Sequence, residues 1–113
     1  MANVSGNILL PQNITREKSR QVLIEVRDTS VADAPSTVVA QQSLKNVALA
    51  PGLAIPYSLE VPAGQSQRHL SLRVHVDLDG TGVVTPGDLL TVQAYPIKQG
   101  ANAGPLNVHV IAV

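Results

Sequence analysis

His69-Leu-Ser-Leu-Arg-Val-His-Val76 carries an aliphatic side chain at every second position. Leu70, Leu72, Val74 and Val76 fall on one side of an extended chain, and His69, Ser71, Arg73 and His75 on the other. Period two marks a strand with one face on a core and the other toward water. The four polar residues are therefore expected outward. The same pattern recurs on both sides of this stretch. Val22, Ile24 and Val26 alternate with Leu23, Glu25 and Arg27 within a strand expected over 21–28. Ile55, Tyr57, Leu59 and Val61 alternate with Ser58 and Glu60, and Pro56 marks an edge strand or a strand start. Further strands are expected over 4–10, 37–44, 90–95 and 106–112. Clusters of Gly, Pro, Asn and Asp separate them, including Pro51-Gly52 and Pro62-Ala-Gly64. Residues 46–53 read as a connection, and Thr15–Arg20 is the best candidate for a single helical turn. About seven short strands with turn signals between them predict one domain over residues 1–113. Its class is all-β: a single antiparallel β-sandwich of immunoglobulin or transthyretin-like type.

Composition fits that reading and narrows function. At 113 residues the chain can bury one core. It has no Phe or Trp and two Tyr, so the core must be built from Val, Leu, Ile and Ala. Eight basic residues balance eight acidic ones. The basic residues are scattered, which excludes the concentrated patch that nucleic-acid binding needs. No cysteine is present, so disulfides, thiolate catalysis and zinc–thiolate sites are excluded. No apolar run approaches the ~18 residues of a membrane span. If Met1 is native the expected location is cytoplasmic. If Met1 was added to a mature fragment, other compartments stay open.

Directly after the central strand comes Asp77-Leu-Asp-Gly-Thr-Gly-Val-Val-Thr-Pro-Gly-Asp88. Its spacing approaches that of a twelve-residue calcium loop: Asp77, Asp79, Thr81, Thr85 and Asp88 would give side-chain oxygens. The Val83 carbonyl would occupy the seventh position, with Gly82 at the sixth making the sharp turn with positive φ. Leu89 would anchor the loop in the core. Thr stands at the fifth position and Asp, a shorter arm than Glu, at the twelfth, so any calcium bound would be held weakly. The competing reading is a polar connection between two strands. Asp79-Gly80 is a turn dipeptide, and Thr85-Pro86-Gly87-Asp88 reads as a type II turn. Glycine and aspartate suit such turns with or without an ion.

No catalytic constellation emerges. There is no Gly-x-Ser-x-Gly elbow and no glycine-rich phosphate loop followed by a helix. His69 and His75 lie six residues apart on one strand, ~20 Å, and cannot share an ion. His75 and His109 would meet only if their strands pair. Carboxylate pairs are confined to the 77–88 loop. A non-enzymatic protein is expected.

Asp28-Thr-Ser-Val-Ala-Asp-Ala-Pro35, just after a strand, resembles the Asp-Val-Ser-x-Ala-Asp-Ala-Pro signature of the YbaY/YscW-type lipoprotein family. Val38-Val-Ala-Gln-Gln, Ile55-Pro-Tyr-Ser-Leu and Leu70-Ser-Leu-Arg-Val follow in that family's order, so the resemblance spans nearly the whole chain. It implies a β-sandwich of the bacterial envelope. It also implies a binding or accessory role, chaperone-like toward an envelope or secretion protein, as in the pilotins that help a secretin assemble. The alternative is a calcium-stabilised structural domain with no dedicated client. Physically, Asp28 and Asp33 can form Asx-type turns, and Pro35 holds the chain extended into the next strand. The rival role for Asp28, Asp33 and Pro35 is a ligand or partner loop at one end of the sandwich.

Overall fold

The computed structural model describes residues 2–29, 37–61, 69–91, 93, 95–97 and 105–113. Eight strands follow in order: β1 (Ala2–Leu9), β2 (Lys18–Asp28), β3 (Thr37–Ala48), β4 (Ala54–Val61), β5 (Leu70–Asp77), β6 (Leu89–Leu90), β7 (Val108–His109) and β8 (Ile111–Ala112). They form a three-stranded sheet, β4-β1-β7, and a five-stranded sheet, β3-β2-β5-β6-β8. The fold is the expected all-β sandwich. Every pairing is antiparallel except β1 with β7.

The register explains why these residues form these strands. β2 and β5 place Val22 against Val76, Ile24 against Val74, and Val26 against Leu72. Branched aliphatic pairs pack well on a pleated surface, and all of these side chains are buried. Val4, Ile8, Ile55, Tyr57, Leu59 and Val61 line the facing sheet. β4 is an edge strand, as Pro56 requires.

The two tyrosines bind the chain's last segment to this core. The Tyr57 hydroxyl donates to the Leu106 carbonyl at 2.5 Å, and the Tyr95 hydroxyl accepts the His109 N–H at 2.8 Å. Burial pushes the Tyr57 phenol up to about 12. Close backbone approach completes the attachment. The Leu106 N–H donates to the Ser5 carbonyl. A Cβ on Gly6 would sit 2.0 Å from the Leu106 carbonyl oxygen, so only glycine fits there.

Three expectations are corrected. The final strand is not continuous: Val108–His109 pairs with β1 in one sheet, and Ile111–Ala112 pairs with β6 in the other. Buried Val110 lies at the crossing, and the eight strands among the described residues agree with the expected sandwich of about seven. Thr15–Arg20 forms no helical turn, because β2 already begins at Lys18 and the Glu17 carbonyl accepts the Leu49 N–H. β3 runs on to Ala48, well into the segment read as a connection.

Candidate functional site

The loop between β5 and β6 is closed by its first and last residues. Register places Asp77 and Asp88 beside each other at the end of the β5–β6 pair, one step beyond Val76 and Leu89. Both carboxylates are fully buried. Asp77 accepts the Gly80 N–H on Oδ1 at 3.1 Å. Its Oδ2 accepts the Gly82 N–H at 2.6 Å and Gln21 Nε2 at 3.2 Å. Asp88 accepts the Leu78 N–H on Oδ1 at 3.2 Å and the Thr85 N–H on Oδ2 at 3.1 Å. His75 Nε2 lies 2.8 Å from that second oxygen. Every carboxylate oxygen therefore has a hydrogen-bond partner, which is what burial of a charge demands. The turns expected inside the loop are present. Gly80, Gly82 and Gly87 have positive φ, and the Asp88 N–H donates to the Thr85 carbonyl at 3.0 Å.

Opposing effects set the Asp88 ionisation. Burial pushes its pKa up; the hydrogen bonds from His75, Thr85 and Leu78, with the charge of His75, outweigh that and hold the carboxyl below its usual range.

His75, like Glu25 on β2, is a polar residue on the outward face of its strand that is nonetheless buried. It was expected in water and is 1% exposed. The strand pattern gave its face correctly, but β5 is central in its sheet and Asp88 is held over that face. It does not meet His109, whose strand belongs to the other sheet.

The six proposed calcium ligands divide. Among the described residues, potential ligand atoms of His75, Asp77 and Asp88 lie within 4.8 Å of one another, and Asp79 is outside that group. Asp79 is exposed and accepts the Thr85 hydroxyl at 3.3 Å. Thr81 turns back on its own loop and accepts the Val83 N–H at 3.3 Å, and Val83 is exposed. A cation here would meet two carboxylates already engaged by N–H groups, plus an imidazole. Calcium prefers an all-oxygen shell. Of the other candidates, Asp28 ends β2 half-buried, opposite Thr37 and Leu70. Asp33 and Pro35 lie outside the described residues.

The closed loop also forms a wall. Leu78, Asp79, Pro86 and Gly87 line one bank of a cavity of about 300 Å³ at the end of the sandwich. Pro11, Ile14 and Arg16 belong to the opposite bank, and buried Leu49 and Leu89 give it an apolar floor. A concave apolar floor with a few polar groups around it is the usual form of a binding site. Alternation could not reveal it, because its banks come from two connections and strands predict only themselves. Ile14, within a polar connection, was the available signal.

A family model describing the type III secretion system lipoprotein chaperone (YscW) matches residues 1–103. No curated protein matches the chain. Among solved structures, it is similar to an alternative pilotin from the type II secretion system of Vibrio cholerae. The TM-score is 0.71 at 18% identity, over 97% of this chain and 96% of that one. At that identity the likeness concerns the fold. The family model spans most of the chain, and so the chain belongs to the YscW family of type III secretion system lipoprotein chaperones.

Proposed function

We propose that this protein is a non-enzymatic accessory module, chaperone-like toward a secretion protein of the bacterial envelope, and that it holds its client in the end groove. The observation that carries the reading is the groove itself, with the apolar floor of Leu49 and Leu89 between two banks. Asp77 and Asp88 fix the backbone of one bank, so the surface is shaped before a client arrives. Preformed surfaces bind with less ordering cost. Family membership supports a protein client. The resemblance to pilotins makes a secretin the first to try.

Arg16 and Asp79, on opposite banks, give the rim one charge of each sign. A client segment with apolar side chains for the floor and polar groups for the rim fits this surface. Ile14→Asp tests the groove, because Ile14 lies outside the strands and packs only half-buried against the core. Titration with overlapping peptides of the secretin from the same bacterium should show the variant binding at least ~10-fold more weakly, about 1.4 kcal/mol. Unchanged affinity in a folded variant would remove the groove from the account.

A further inference from the structure

We propose that the outer edge of β3 takes up an extended segment of the client as an added strand, over Ala40–Lys45. The proposal rests on the client-binding reading and specifies a second surface for it.

Among the described residues, β3 pairs with β2 on one side and is the last strand of its sheet. An edge strand offers a row of unpaired N–H and C=O groups. Two irregularities bound the usable part of this row. The register shifts between Val26 and Arg27, leaving Val39 as an extra residue, and Asn46 has φ 52°. Between them Ala40–Lys45 pairs regularly with Gln21–Val26.

The inward row of this segment is incompletely covered. Ala40, Gln42 and Leu44 stand opposite Val26, Ile24 and Val22. Those three β2 residues are fully buried, whereas their β3 partners are half-buried. The Gln42 Oε1 atom is itself buried, and among the described residues no donor reaches it. Buried polar atoms without partners are uncommon. Here one lies on the open edge strand.

The chemistry of the edge names its occupant. Its groups repeat at strand spacing, so the complementary partner is another extended backbone. A helix has already spent its own N–H and C=O groups internally. Alternate side chains of the added strand would cover Ala40 and Leu44, and one with a donor would reach Gln42. The other edges differ: Pro56 interrupts the N–H row of β4, and β7 and β8 are two residues each. In Ala40–Lys45 the one charge is Lys45, and Gln21 Oε1 holds its ammonium.

The test is a selection of displayed random peptides against the folded protein, with bound peptides mapped by amide shifts. The expected result is a group of peptides that shift Ala40–Lys45. They lose binding at least tenfold on backbone N-methylation at alternate residues, and likewise against Gln42→Lys, which points a charge inward at the edge. N-methylation leaves the protein untouched, so the test survives if that variant fails to fold. Peptides that shift only groove residues such as Ile14 and Gly87 would overturn the edge proposal while leaving the function standing. Protection of Ala40–Lys45 that grows with protein concentration, without peptide, would overturn it in favour of a second copy. Binding at neither surface would defeat both readings.

Discussion

At the residue scale the account turns on two aspartates that behave as acceptors. Asp88 gathers the Leu78 and Thr85 amides and His75, all at a buried position. Asp88→Ala would leave those donors without a partner, and a lost buried acceptor costs ~1–3 kcal/mol for each group stranded. Chemical denaturation should show a loss of about 3 kcal/mol, partly relieved by water entering the loop. The same residue sets an acid limit. Its folded pKa lies below the ordinary value of 3.8, so its contribution is fully present above that value and is lost as pH falls through the folded one. Melting temperature should decline below about pH 4, and Asp88→Asn should flatten part of that decline. Calcium is predicted to act weakly or not at all. Titration to ~10 mM should leave the Gly82 amide unmoved, because its N–H is already committed to Asp77.

At the element scale the last segment of the chain is the point of greatest leverage. It leaves one sheet and enters the other through Val110, held by Tyr57, Tyr95 and the contact between Gly6 and Leu106. Gly6→Ala would drive a methyl into the Leu106 carbonyl and must separate β1 from that segment. A loss of about 3 kcal/mol or more is expected in denaturant unfolding. Tyr57 adds an alkaline limit. Its phenol titrates near 12 when folded against 10 when unfolded, so stability present below pH 10 should fall between pH 10 and 12. Tyr57→Phe should remove that part of the fall. These elements also show what alternation can and cannot tell. It gave the inward faces of β2, β4 and β5 correctly, because aliphatic side chains at period two have one stable placement. It could not divide Leu106–Ala112 between two sheets, since a strand that crosses keeps the same alternation as one that does not. Nor could it bury His75, whose cover comes from Asp88, thirteen residues away.

At the scale of the whole molecule, function lies in what the strands carry. Asp77 and Asp88 begin and end a loop whose spacing suits an ion, and they accept the amides that hold one bank of a groove whose other bank comes from residues 11–16. That opposite bank left little trace in the sequence beyond Ile14, because it is assembled by topology. The chain belongs to a family of lipoprotein chaperones; under the proposed function the groove holds the client, and under the further proposal the β3 edge gives that client a second hold. The most direct test follows amide shifts while overlapping peptides of the same bacterium's secretin are added to the isotope-labelled protein. The account predicts saturable shifts at Ile14, Leu78 and Gly87 that weaken in Ile14→Asp. Saturable binding that leaves all three unmoved would contradict it.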